Sequence, residues 1–153
     1  MNTTIVSSPL GKIKLVVFDA KLHSLEFVNS THDTQAANDP ISKNIANELH
    51  EYFQNSRTNF MSAIELCGTP FQQKVWRALQ AIPSGKTITY GELAKKLSSS
   101  PRAIGQACRT NPIPIIVPCH RVVAKSNLGG YSGQRSGNKL AIKQWLLKHE
   151  GCF

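Results

Sequence analysis

Three helix starts crowded between residues 69 and 101 constrain this chain more than any other feature of its sequence. Thr69-Pro70-Phe71-Gln72 offers an N-cap hydroxyl, a proline at the first helical position and an amide three residues on, which makes a reciprocal capping box. Thr89-Tyr90-Gly91-Glu92 is a second such box, and Pro101 opens a third helix after the polar turn Ser98-Ser99-Ser100. The first helix carries Phe71, Val75 and Leu79 on one face and stops at Pro83-Ser84-Gly85. The second runs through Leu97 and the third to about Thr110. Two short helices joined by a tight polar turn form a helix-turn-helix pattern over about residues 89–110, a pattern that all-helical enzymes also contain.

The third helix, PRAIGQACRT, is rich in small residues: Ala103, Gly105 and Ala107. Glycine inside a helix costs about 1 kcal/mol relative to alanine. Close approach to a nucleic acid backbone would offset that cost, and so would tight packing between helices. Arg102 and Arg109 at its two ends favour DNA. Charge points the same way. Residues 1–68 hold five Lys and Arg against seven Asp and Glu, whereas residues 69–153 hold 13 against two, Glu92 and Glu150. Such asymmetry suggests a polyanionic partner for the second half, although a solvated basic surface has the same composition.

Downstream, Asn111-Pro112-Ile113-Pro114 forces an extended loop, because each proline pushes its predecessor out of helical geometry. Ile115-Ile116-Val117 then predicts a short buried strand that delivers Pro118-Cys119-His120-Arg121. Gly129-Gly130-Tyr131-Ser132-Gly133 predicts a loop. The last helix is expected from about Asn138 to His149, with Leu140, Trp145 and Leu146 turned inward, ending at Glu150-Gly151. The first half is simpler. KIKLVVFD and HSLEFVN predict two strands around a turn near Asp19, and Asp39-Pro40 starts a helix with Ile41, Ile45, Leu49 and Tyr52/Phe53 at helical spacing. Residues 55–63 read as a link. The expected fold class is a small α+β domain over residues 1–63, a sheet plus a helix, followed by a mostly helical domain over residues 64–153.

A hydrophobic content of 41% describes an ordinary globular chain rather than a disordered one. No apolar run approaches the ~20 residues of a membrane span, and the N-terminus lacks the basic start and apolar stretch of a signal peptide, so a cytoplasmic protein with no membrane partner is expected. Cys67, Cys108, Cys119 and Cys152 form no CxxC pair and no zinc-finger spacing. Of the four, Cys119 has the neighbours of a nucleophile: adjacent His120 and Arg121 would lower its pKa, and a base accepting its proton, oriented by a third group, would activate it. The lone late acid, Glu150, is the candidate for that third group. A buried small hydrophobe is the commoner fate of a cysteine. A cysteine hydrolase built on Cys119 and His120 finds little support, since adjacent residues rarely meet as nucleophile and base and no oxyanion-hole motif is evident.

PIPIIVPCHRVV, together with GTPFQQKVWRALQAIPSGKTITYGELA, RAIGQACRTNPIPI, GGYSG and KQWLLKHEG, resembles the O6-alkylguanine-DNA alkyltransferases across most of residues 68–151. The first half is similar to that family only in length, SPLG and LHEYF. The resemblance implies a ribonuclease-H-like first domain and direct-reversal repair: irreversible transfer of an alkyl group from O6-alkylguanine, and from O4-methylthymine, in DNA to Cys119. In that reading His120, through a water, and Glu150 make Cys119 a thiolate, and Asn111 braces its loop. Arg102 fills the base stack, Ala103, Gly105, Arg109 and Arg121 meet the DNA, and the helix from Pro101 lies in the minor groove. Tyr90 donates its hydroxyl to the guanine ring and crowds the flipped nucleotide's phosphate. Val122 and Cys119 offer main-chain carbonyls to the exocyclic amine, and Tyr131 and Ser132 wall the pocket. The partner is double-stranded DNA, the protein acts as a monomer, and no cofactor is needed.

Three departures from the family stand out. Pro101 precedes Arg102 where a small residue is expected, the stretch from Ser132 to Trp145 is long, and no cysteine precedes Cys67, so the structural zinc of some relatives has no ligand set. The alternative is a non-catalytic, alkyltransferase-like lesion binder, in which the cysteine of the PCHR motif is replaced. A small helix-turn-helix regulator is the other, and it would need no buried cysteine.

Overall fold

The computed structural model describes residues 1–29, 33–127, 129 and 138–152, and the chain forms two compact units, Met1–Leu66 and Cys67–Phe153. In the first, β1 (Asn2–Ser8), β2 (Gly11–Phe18) and β3 (Lys21–Val28) make an antiparallel sheet in sequence order. Phe18 pairs with Lys21, so the hairpin between β2 and β3 turns on two residues, and both Asp19 and Ala20 take positive φ (52° and 61°). That is the twist a two-residue hairpin prefers, here adopted without glycine. Side chains alternate along β2: Ile13, Leu15 and Val17 are buried and their neighbours are not.

Onto this face packs α1 (Pro40–Gln54), capped by Asp39, whose carboxylate accepts from Ser42 N at 3.0 Å. Ile45, Leu49 and Tyr52 face the sheet at helical spacing. The stretch after α1 is not a free link. Leu22 N donates to Ala63 O and Glu65 N to Leu22 O, each at 2.9 Å, and the Glu48 carboxylate accepts from Met61 N and Ser62 Oγ, each at 2.6 Å. β1 has no counterpart in the sequence patterning, because NTTIVSS does not alternate.

The second unit contains α2 (Pro70–Gln80), α3 (Tyr90–Lys96), α4 (Pro101–Arg109) and α5 (Asn138–His149). Both capping boxes close, at Thr69/Gln72 and Thr89/Glu92. Buried Trp76 donates its indole N–H to Ala107 O at 2.8 Å and so pins α2 to α4. Ala107 is buried in this contact, whereas Gly105 has open space around its α-carbon. The last turn of α3 ends with Ser98 at φ 52°, and Ser98 N and Ser99 N bond back to Lys95 O and Ala94 O. This is a Schellman closure with serine in the glycine position. It hands the chain straight to Ser100, which caps α4 by accepting from Ala103 N. A two-stranded parallel pair, β4 (Ile88–Thr89) with β5 (Val122–Val123), ties the start of α3 to the segment just after Cys119.

Candidate active site

Between α4 and β5 the chain makes turns where patterning predicts the strand Ile115-Ile116-Val117. Val117 N donates to Ile113 O at 2.9 Å, closing a turn, and buried Ile115 sits at φ +74°. A β-branched residue in the left-handed region is strained by roughly 1–2 kcal/mol. Asn111 holds the turn from both sides: its Nδ2 donates to Val117 O at 2.7 Å, and its Oδ1 accepts from Ile113 N at 3.0 Å. Cys119 N then donates to the same Val117 O at 2.8 Å and opens a short 3₁₀ turn, Cys119–Arg121. The result is a thiol fixed at the end of an over-determined loop, only 5% exposed.

Behind it lies a buried charge array. His120 Nε2 and Glu150 Oε2 are 2.9 Å apart, and the same carboxylate accepts from Arg121 Nε and Nη2, each at 2.9 Å. Arg121 Nη1 donates to Ile82 O. Arg121 thus corrects the expectation that it meets DNA: its guanidinium is turned inward and spent on Glu150 and a carbonyl. Glu150 itself is placed by the end of α5. Gly151 at φ +79° lets Gly151 N and Cys152 N bond back to Lys148 O and Leu147 O, a second Schellman closure that holds the carboxylate inside.

These contacts set the protonation of His120. Burial lowers its pKa more than Glu150 raises it, so the ring is neutral. Glu150, ionised against Arg121, is an acceptor, so Nε2 carries the hydrogen. Nδ1 is then a lone-pair acceptor, and it is buried with no hydrogen-bond partner among the described residues. Burial likewise pushes the Cys119 thiol up, with Asn111 and Lys143 pulling it partway back. This differs from the expectation that His120 and Arg121 lower it by adjacency: the opposing pull comes from Asn111 and Lys143, and Arg121 is committed to Glu150. The thiol therefore needs a base.

Lys143 is the residue sequence reasoning missed. It is fully buried, donates from Nζ to Val122 O at 2.7 Å and lies 5.7 Å from the centroid of the Tyr90 ring. Desolvation lowers its pKa to about 8, while the two nearby cysteines, Cys119 and Cys108, act to raise it. The signal was its register: Lys143, Leu146, Leu147 and Glu150 share one helical stripe and are all buried, while Leu140 and Trp145, expected inside, are only half-buried. Tyr90 opens α3 and is covered by Gly129, where an added Cβ would stand 2.8 Å from Tyr90 Cε2. Gly129 also has φ +74°, so the position suits glycine twice over.

Arg102 and Arg109 are exposed on α4 and share a face with Gly105 and Gln106, opposite buried Ile104, Ala107 and Cys108; Ala103 is half-buried. Tyr131 and Ser132 lie outside the described residues. Among the described residues no group of three or more His, Cys, Asp or Glu is placed to hold a metal, and no helix is long and apolar enough to cross a membrane.

Known proteins match both halves. The model of the 6-O-methylguanine DNA methyltransferase ribonuclease-like domain covers residues 1–66, and that of the 6-O-methylguanine DNA methyltransferase DNA binding domain covers residues 70–152. A probable methylated-DNA–protein-cysteine methyltransferase of Acanthamoeba polyphaga mimivirus is 39% identical over 155 residues, 98% of this chain and 97% of that protein. The methylated-DNA–protein-cysteine methyltransferase of Mycobacterium leprae (strain TN) is 39% identical over 153 residues, 95% of this chain and 91% of that one. Among solved structures, Mycobacterium tuberculosis OGT in complex with DNA matches with a TM-score of 0.82 at 37% identity, over 98% of this chain and 92% of that one. Matched in both halves, and at this identity to relatives over nearly their whole length, the chain belongs to the 6-O-methylguanine DNA methyltransferase family.

Proposed function

We propose that this chain is a single-use repair protein that moves the alkyl group of O6-alkylguanine, and of O4-methylthymine, in duplex DNA onto the sulfur of Cys119. The observation that carries the reading is the buried array joining Cys119, Asn111, His120, Glu150 and Lys143. Helices α3 and α4 act as a helix-turn-helix, with α4 in the minor groove. Its exposed face of Arg102, Gly105, Gln106 and Arg109 meets the duplex, and the open space at Gly105 allows a backbone to come close. A lesion on the base-pairing edge is out of reach inside the helix, so the nucleotide is extruded at a few kcal/mol, less when it is badly paired. Arg102 fills the gap.

The extruded base sits over Cys119, with Tyr90 donating to its ring. Val122 O serves the exocyclic amine with one lone pair and Lys143 with the other. Through a water, His120 Nδ1 takes the thiol proton, and Asn111 and Lys143 stabilise the thiolate. The sulfur attacks the alkyl carbon, a C–S bond forms, the C–O6 bond breaks, and guanine leaves with the electron pair and is reprotonated. A thioether offers no leaving group to water, so each chain acts once. The displacement draws on no cofactor. Every assigned role falls on one chain, which acts as a monomer in the cytoplasm. The non-catalytic, lesion-binding alternative requires the acceptor cysteine to be replaced, and Cys119 is in place. With O6-methylguanine duplex in excess, conversion is expected to stop at one lesion per chain; continued turnover, or none at all, would overturn the reading.

Arg102→Ala separates extrusion from chemistry. Its loss removes compensation for an unstacking cost of a few kcal/mol, so single-turnover repair on duplex is expected to fall by about one to two orders of magnitude, at ~1.4 kcal/mol per tenfold. The rate on free O6-alkylguanine base stays unchanged. Equal loss on both substrates would place Arg102 in the fold or the pocket instead.

Lys143→Met removes the buried cation and keeps its volume. Transfer is expected to slow by about tenfold at neutral pH, the equivalent of about one pKa unit on the thiol. The gap from the native protein narrows as pH rises past about 8, where Lys143 sheds its own charge. A gap that stays constant from neutral to alkaline pH would mean that Lys143 acts only through its hydrogen bond to Val122 O.

A further inference from the structure

α4 turns Ile104, Ala107 and Cys108 inward and leaves Arg102, Gln106 and Arg109 exposed on its other face. The hydrogen-bonding chemistry of that face is uneven. A guanidinium donates and accepts nothing. Ser100 and Thr110, at the two ends of the helix, carry hydroxyl oxygens, but both are spent. Ser100 Oγ accepts from Ala103 N at 3.2 Å as the cap of α4. Thr110 Oγ1 accepts from Gln72 Nε2 at 3.1 Å and donates back to the carbonyls at the end of the helix. Gln106 is therefore the one side chain on this face with an acceptor to offer, and it carries a donor beside it. Its amide has no hydrogen-bond partner among the described residues.

That difference matters in a minor groove. Either orientation of an A·T pair shows only acceptors there, N3 of adenine and O2 of thymine, whereas a G·C pair adds the N2 amine of guanine as a donor. Arginine serves the acceptors of every pair and does not tell them apart. Only a side chain with an acceptor meets the guanine amine. We propose that Gln106 reads a G·C pair beside the lesion: its Oε1 accepts from the guanine N2 amine while its Nε2 donates to a groove acceptor next to it.

The proposal rests on the reading above, in which α4 lies in the minor groove and Arg102 fills the vacated stack. Gln106 stands one helical turn beyond Arg102 on the same face, about 6 Å along the axis at ~1.5 Å per residue. Base pairs follow one another at about 3.4 Å, so the pair that Gln106 meets is within two steps of the extruded nucleotide. The open space at Gly105 lets the helix come close enough for a glutamine to reach base edges. The consequence is a context preference: a lesion beside guanine is engaged more readily than one in A·T surroundings.

Inosine tests this directly, because it is guanine without the N2 amine. Duplexes carry one O6-methylguanine between flanking G·C pairs, two on each side, and each flanking guanine is replaced by inosine in turn. Second-order repair rates are measured with full-length protein below saturation. For the native protein at least one replacement is expected to slow repair by about two- to tenfold, the worth of one hydrogen bond. Gln106→Leu, which keeps bulk and loses both functions, and Gln106→Lys, which keeps only a donor, are each expected to lose that slowing. An I·C pair is weaker than G·C and eases extrusion for every protein alike, so the native-to-variant ratio cancels this effect. Native protein indifferent to every inosine, or variants slowed as much as the native protein, would overturn the proposal. Slowing by 7-deazaguanine, which lacks a major-groove acceptor, in place of slowing by inosine would put α4 in the major groove and overturn the reading beneath the proposal. No repair on any duplex would remove the repair function itself.

Discussion

Cys119→Ser is expected to lower alkyl transfer by on the order of 10⁴ or more, the scale of removing a nucleophile, while duplex DNA is bound as before. The thiol already sits in a desolvating site that raises its pKa, and in the proposed mechanism it reaches a thiolate only through His120, Asn111 and Lys143 together. A hydroxyl in the same place starts several pKa units higher, beyond what a neutral imidazole and one buried cation can overcome. The change is small sterically, and Asn111 is at hand to bond the new hydroxyl, so the fold should lose no more than about 1–3 kcal/mol. The basic face of α4 is untouched. Single-turnover transfer from a lesion duplex and a gel shift on the same duplex separate the two effects. Transfer that survives the substitution would move the acceptor to another cysteine, and binding lost along with transfer would mean that the substitution damages the fold.

Glu150→Gln is expected to destabilise the second unit strongly. Glu150 meets His120 and two N–H groups of Arg121 in a buried arrangement, with only the Arg121 side chain keeping 11% exposure. Removing its charge leaves the Arg121 guanidinium inside the protein without a counter-ion, which costs about 3–5 kcal/mol, a large part of the ~5–15 kcal/mol that holds a domain folded. Repair should collapse as well, because the imidazole loses the ionised acceptor that fixes its tautomer. Arg121→Met combined with Glu150→Gln separates these effects. An apolar replacement of the buried pair should restore much of the stability, while repair stays low because His120 still lacks its carboxylate. Denaturant unfolding and single-turnover kinetics on both variants decide it. A double variant that regains repair would reduce Glu150 to a counter-ion for Arg121.

Much of the second unit is legible in the sequence because its signals are local. Capping boxes at Thr69 and Thr89, Pro at the first position of α2 and α4, and Gly151 past the end of α5 each act within a few residues of where they stand. Less legible is whatever depends on a distant partner. β1 exists because β2 offers it an edge, not because NTTIVSS alternates. The run Ile115-Ile116-Val117 has strand composition, yet Asn111 and two prolines fold it into turns that an isolated pattern cannot anticipate. Arg121 carries the charge of a DNA contact, and only the position of Glu150 explains why it points inward. Lys143 has the opposite history: a lysine reads as surface until its stripe with Leu146 and Glu150 is drawn.

Whether the alkyl group ends on Cys119 is decided by intact mass and peptide mapping after incubation with O6-methylguanine duplex. The expected result is a gain of one methyl group per chain, all of it on the peptide carrying Cys119, with Cys67, Cys108 and Cys152 unmodified. A methyl group on any of those three, or repaired DNA with no gain of mass on the protein, would contradict it.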